Sequence, residues 1–407
     1  MDNFNNTARP VLIAIIVAIL CGFGGWYVYL QSKIRQNNTV SAGRGLGATV
    51  PTGTVNTNSN TAGAFGSPDT GGTGSAAVSA GVATTASSSQ PDRLWHVITT
   101  AVGGAGFLSS TSSVQVRFVE RATGHVSDAS LSGHAVTRVT NTLVPLVYDA
   151  EISPKGSLVL QTASDAFLAT VSTSSSAAAT LQTKSLAHNL RALSISPTGK
   201  EMFALIKTSS GVVGQRFLSD GTNQKQVFSS GIVGWKTQWL GDGRIILAQA
   251  ASDGAMGYAY ELKSDGSLGL IASAPGLTIL PRASSTAVLI GASNKDLSLS
   301  VRVGTSTIAL PLKTLAEKCV WSPLSQLVMF CAVPQTVMHG FLDLWYRGEM
   351  HGSDQWWRIE ALTGKAEVLF APDHALDVQD PIIDASGQYI VFKDAKDQSL
   401  WSLRINP

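Results

Sequence analysis

Ile152-Ser-Pro-Lys-Gly156-Ser-Leu-Val-Leu160 is a tight turn between two apolar arms, and the chain repeats it. It returns as Ile195-Ser-Pro-Thr-Gly199-Lys-Glu-Met-Phe203 and as Trp239-Leu-Gly-Asp242-Gly243-Arg-Ile-Ile-Leu247. A weaker copy is Arg282-Ala-Ser-Ser-Thr286-Ala-Val-Leu-Ile290. Trp321-Ser-Pro-Leu-Ser325-Gln-Leu-Val-Met329 and Ile383-Asp-Ala-Ser-Gly387-Gln-Tyr-Ile-Val391 follow. Positions 156, 199, 243, 286, 325 and 387 are spaced by 43, 44, 43, 39 and 62 residues. In Ser-Pro-x-Gly the proline fixes φ and the glycine accepts a positive φ, so each copy reads as an antiparallel hairpin.

A second hairpin completes each unit. Arg117-Phe-Val-Glu-Arg-Ala-Thr-Gly124-His-Val, Glu261-Leu-Lys-Ser-Asp-Gly266-Ser-Leu and Trp357-Arg-Ile-Glu-Ala-Leu-Thr-Gly364-Lys-Ala each pair a strand with a return strand. Four strands in ~40–45 residues is the period of a β-propeller blade. Residues 93–407 hold seven such units if a degenerate first one occupies 94–131. The expected fold is therefore all-β, a seven-bladed propeller of four-stranded antiparallel blades. The run ending at Trp401-Ser-Leu-Arg-Ile405 is one strand short of a blade, and the stretch from Leu94 to Thr100 is placed to supply it.

Composition agrees. Of 407 residues, 44% are hydrophobic and 14% charged, which excludes a charged disordered chain and a coiled coil. A net charge of +2 excludes a strongly basic nucleic-acid binder, and no nucleic-acid partner is expected. Three cysteines exclude a disulfide scaffold and a four-thiolate zinc site.

Before residue 93 the texture differs. A tail (1–10) precedes the uncharged run from Val11 to Leu30, long enough to span ~30 Å of bilayer as a helix. It ends in Trp26, Tyr27 and Tyr29, whereas a cleaved signal peptide would have a shorter core and a small-residue site. Residues 31–92 read as a flexible linker: 42 of the 56 residues from 37 to 92 are Gly, Ser, Thr, Ala or Asn. The expectation is a single-pass anchor in the cell membrane with the propeller outside the cytoplasm. A count of flanking Lys and Arg weakly favours the opposite orientation.

The sequence holds no Gly-x-Ser-x-Gly, no His-Glu-x-x-His, no P-loop and no calcium loop, so no catalytic residue, metal ligand or cofactor is assigned. One region breaks the repeat by about 18–20 residues, within the 62-residue interval: PQTVMHGFLDLWYRGEMHGSDQWWR at 334–358. Insertions of this kind project from one face of a propeller, where partners bind. Asp343, Trp345, Tyr346, Arg347, Asp354, Trp356 and Trp357 are the candidate contacts, with aromatic and charged groups suited to a protein or glycan. The competing reading is that the aromatics tuck the loop onto its blade.

Cys319 and Cys331 flank the turn at residue 325. Pairing symmetric about that residue sets them opposite each other on adjacent strands, in reach of a disulfide. A slip of one residue would put them on opposite faces, and two free buried thiols are the plain alternative.

Several strings resemble a known group: VRFVERATGHV (116–126), NTLVPLVYDAEISPKG (141–156), CAVP (331–334), DLWYRG (343–348) and DQSLWSLRI (397–405). They are similar to the membrane-anchored WD40-like or TolB-like β-propellers of candidate phyla radiation bacteria, the Parcubacteria in particular. The resemblance spans residues 93–407 and includes the anchor and linker. It implies a fold and a location and carries over no functional residue. Two function classes follow: a membrane-tethered, non-catalytic binding or scaffolding module of the cell envelope, or a cell-surface glycan lyase or hydrolase working at the propeller channel.

Overall fold

The computed structural model describes residues 93–406 except 110–112, 175–176 and 326. The expected tail, membrane helix and linker lie outside the described residues. Among the described residues no helix is long and apolar enough to cross a membrane. The chain divides into two units, Met1–Thr84 and Thr85–Pro407, and the second contains every described residue.

The described strands form seven four-stranded antiparallel sheets. These are blades 1 to 6, over 102–138, 149–188, 190–230, 235–275, 278–310 and 319–370, and blade 7 over 378–404. Blade 7 takes its outermost strand, Leu94–Ile98, from the other end of the domain. Leu94 pairs with Leu403 and His96 with Trp401, closing the ring. Blade 1 thus begins at Val102, and the expected unit at 94–131 is divided between two blades.

The repeated turns join strands one and two of blades 2 to 7. The backbone N–H of Gly156, Gly199, Gly243 and Gly387 donates to the carbonyl three residues back, at 2.7–2.9 Å. All four glycines have φ between 64° and 90°. Ser284 and Leu327 take the positive φ in blades 5 and 6, where no glycine is available. The second hairpins are of two kinds. Gly124 turns between strands two and three of blade 1, whereas Gly266 and Gly364 turn between strands three and four.

Second strands such as Leu158–Gln161 and Val328–Pro334 are buried along their whole length, because a neighbouring blade covers each face. They therefore read as unbroken apolar runs. The outermost strand Ala135–Arg138 is exposed throughout and correspondingly mixed. Each of the seven blade–blade interfaces has its own apolar cluster, such as Phe118, Val116 and Val391 between blades 1 and 7. First strands of neighbouring blades approach one another and line the centre. At Gly104 the approach is so close that a Cβ would sit 1.9 Å from the Ala150 carbonyl oxygen.

Antiparallel alternation assigns the loops to two faces. The connectors between blades and the turns between strands two and three share one side, here the connector face. Turns between strands one and two, and three and four, share the other, the turn face.

Candidate functional site

The insertion leaves blade 6 after Pro334 and returns at Asp354, between strands two and three, so it lies on the connector face. It forms a strap across neighbouring blades. Its short helix, Phe341–Tyr346, starts after Gly340 at φ 71° and buries Phe341, Leu342 and Trp345 against Leu297 and Leu315. The Gly340 N–H donates to the Lys295 carbonyl of blade 5 at 3.1 Å. Asp343 accepts from the Asp253 N–H at 3.0 Å and the Ser252 hydroxyl at 3.4 Å, both in blade 4. Trp345 Nε1 donates to both oxygens of Asp377, at 3.0 Å each, in the connector to blade 7.

Tyr346 is half-exposed. Its hydroxyl donates to Glu317 at 2.8 Å and accepts from Lys236 Nζ at 3.1 Å, while Lys236 also bonds Glu317 at 2.6 Å. Enclosure and then the Glu317 charge push the phenol upward, so it stays protonated at physiological pH. Arg347 is exposed and bonds Glu349 at 2.9 and 3.0 Å.

The remaining predicted residues lie on the returning strand Asp354–Glu360, where side chains alternate. Trp356 is fully buried, its ring 5.4 Å from Phe392 in the interface with blade 7. Trp357 turns the other way, half-buried against the cluster between blades 5 and 6. Asp354 is buried beneath the strap, 2.7 Å from Lys318 Nζ. The structure thus brings Asp343, Trp345 and Tyr346 together on the strap, leaves Arg347 at the surface and takes Trp356 into the core. Lys236, Glu317, Lys318 and Asp377 complete the arrangement and were not singled out from sequence. They come from three separate segments, so no local pattern announces them.

Cys319 pairs directly with Cys331 in the strand register, centred on residue 325, and their sulfurs are bonded at 2.06 Å. Both lie in the cluster between blades 5 and 6.

Two concavities lie at the centre. On the turn face, Leu108, Pro154, Pro197, Gly241, Pro323 and Asp384 rim a bowl of about 880 Å³. Deeper in, Asp149, Glu151, Asp380 and Lys393 line a cavity of about 200 Å³. Lys393 bonds Asp380 at 2.8 Å. Enclosure by protein, then the Asp149 and Asp380 charges, pushes the Glu151 carboxyl up to about 8. Water in the cavity reaches Glu151, but the walls around it penalise the anion. Asp149 is raised as well, first by enclosure. Among the described residues no group of three or more His, Cys, Asp or Glu is placed to hold a metal ion.

No protein-family model matches the sequence, and no curated protein matches it. Solved structures with a similar arrangement include virginiamycin B lyase from Staphylococcus aureus, at 11% identity, with 75% of this chain and 96% of that one covered and a TM-score of 0.48. A streptogramin B lyase gives 12% identity, coverage of 77% and 97%, and a TM-score of 0.49. The WD40 domain of Pan2 from Neurospora crassa gives 9%, 76%, 90% and 0.49. At such identities none of the three lends this chain an activity, and the propeller assignment rests on its own seven sheets.

Proposed function

We propose that this chain is a membrane-tethered, non-catalytic propeller whose connector face docks a protein partner outside the cytoplasm. The observation that carries the reading is the set of exposed apolar side chains that three separate segments present on that face. The strap contributes Met338 and Tyr346, the connector between blades 1 and 2 contributes Leu143 and Leu146, and the connector between blades 3 and 4 contributes Ile232 and Val233. Leu143 is 67% exposed and Leu146 74%. Aliphatic side chains in this number suit a protein surface. A glycan would be met by flat aromatic platforms, and Trp345 and Trp356 are instead committed to the interior. Anchor and linker, read from Val11 to residue 92, would hold that face at the envelope.

The test is face-selective photo-crosslinking of the full-length chain in native membranes. Probes at Met338 and Leu146 should give discrete protein adducts, and probes at Leu324 and Leu362 on the turn face should not. Equal labelling from both faces, or adducts with glycan alone, would sink the reading. Protease added to intact cells should remove the propeller if it lies outside.

A second reading has one specific observation in its favour. A carboxyl held protonated near neutral pH, as Glu151 is, can serve as a general acid, and it shares its cavity with Asp149, Asp380 and Lys393. A glycan lyase or hydrolase would act there. Release of new sugar ends from cell-wall glycan by the wild type, lost in Glu151→Gln, would support it.

A further inference from the structure

Lys318, Asp354 and Asp377 form a charge cluster whose side chains have 0% exposure to solvent. Lys318 Nζ lies 2.7 Å from Asp354 Oδ2 and 2.5 Å from Asp377 Oδ1. One ammonium between two dry carboxylates would leave a net buried charge, which is costly unless one acid stays protonated. The surroundings distinguish the two acids. Asp377 accepts from Trp345 Nε1 and the Gly352 N–H and lies 3.2 Å from His351 Nδ1. Burial opposes its charge, but Lys318 and these donors outweigh it and hold the carboxyl below its ordinary range. Asp354 accepts from the Val378 N–H at 2.7 Å on Oδ2, while its Oδ1 is buried with no hydrogen-bond partner. Burial pushes the Asp354 carboxyl up. Of the two, Asp354 is the acid whose protonated form the site favours, and Asp377 the one it favours as the anion.

We propose that Lys318 Nζ and Asp354 Cγ condense to an isopeptide bond, with Asp377 carrying the proton. The nitrogen already touches the carboxyl, one C–O bond from the carbon it must reach, so the two reacting groups are held together in advance. An ammonium proton passes to Asp377. The neutral amine attacks Cγ, the N–C bond forms and the carbonyl pair moves onto oxygen. Asp377 gives its proton to the Asp354 hydroxyl and takes one from the new nitrogen. The Cγ–O bond breaks and water leaves. Ammonium, carboxylic acid and carboxylate thus become an amide, a water and a carboxylic acid, with charge balanced and no oxidant or cofactor. The change removes a buried ion pair, whose desolvation is costly even where the partners are well placed.

The strap keeps that site dry. A Cβ at Gly352 would lie 2.9 Å from Asp354 Oδ1 and 3.2 Å from Asp377 Oδ1, so bare backbone is laid directly on the cluster. The bond would fasten the end of the strap to the segment before blade 6. The next residue, Cys319, is bonded to Cys331, so two consecutive positions would carry cross-links to later strands of one blade.

The test is mass spectrometry of the reduced full-length chain, purified from membranes. The expected mass is lower than the sequence mass by one water, with tryptic segments 314–347 and 348–358 joined through Lys318 and Asp354. Asp354→Asn should form the same amide by releasing ammonia, so its joined segments should match the wild-type pair in mass. Asp377→Asn should keep the circular dichroism of the wild type and leave the segments separate. Full sequence mass with separate segments in a natively folded wild type would overturn the proposal. A bond to Asp377, or an undiminished bond in Asp377→Asn, would overturn the assigned roles.

Discussion

The indole of Trp401 lies flat on the imidazole of His96, with ring centroids 3.9 Å apart and planes inclined by 7°, where the domain's first strand meets its last. His374 approaches the same indole at 5.1 Å, and the Asp394 and Asp397 charges act on His96 from the turn that precedes Trp401. His96 Nε2 is buried without a partner. Burial, assisted by His374, holds the imidazole below its ordinary range, and the two aspartates offset part of the effect.

The sign of the pH dependence follows. Between the lowered folded value and ~6.5, the unfolded chain binds the proton and the folded one does not, so stability falls as pH falls through that window. Thermal melts at pH 7 and pH 5 should show the loss. His96→Phe keeps a ring on Trp401 and should flatten the dependence. An unchanged slope in the variant would remove His96 as its source.

Glu151 works in the opposite direction. The folded state keeps its proton up to about 8, while the unfolded chain loses it near 4.5. Stability should therefore decline as pH rises across that interval, because the unfolded state binds fewer protons. Glu151→Gln should be more stable than wild type at pH 8 and nearly equal to it at pH 4.5, measured by denaturant midpoints.

Trp356 separates packing from hydrogen bonding. It is fully buried, and its Nε1 has no acceptor. Trp356→Ala should cost ~3–5 kcal/mol through the cavity it opens. Trp356→Phe should cost less than ~2 kcal/mol, since it removes an unpaired donor along with part of the ring. If the two variants proved equally unstable in denaturant melts, the assignment of its energy to ring volume would be wrong.

Cys319 and Cys331 face each other in register, twelve residues apart. In denatured, unreduced protein only Cys21 should react with a thiol reagent, and reductant should release two more thiols. Replacing both with Ser should cost ~2–3 kcal/mol, the low end for so short a loop. A bond already present in the cell would accord with an oxidising compartment.

What the sequence made legible was whatever repeats. The turns at Gly156, Gly199, Gly243 and Gly387 need a positive φ at a fixed spacing, and φ is a local property. The pairing of Cys319 with Cys331 was equally local, since symmetry about residue 325 decides it. The candidate site was less legible because its contacts are not local. Trp356 and Trp357 read as one exposed aromatic pair, but the strand has already begun at Asp354, so they point to opposite sides. Lys318 carried no local signal, since its partners stand 36 and 59 residues away. Asp149 and Glu151 did carry a signal, two acids flanking buried Ala150 on an innermost strand, which places both toward the channel.

Closure by Leu94–Ile98 also sets a timetable for synthesis. The strand made first among the seven blades finds its partner, Leu400–Arg404, only after some 300 further residues have emerged. Until then Leu94–Ile98 has no neighbour and the growing ring has an open edge, the kind of surface on which chains mispair. A ribosome that stalled before Leu400 would release a domain with every other blade in place and its seam unsewn. Synthesis of Leu400–Arg404 is therefore the step that lets the ring close, and a fragment short of it exposes an unpaired strand edge.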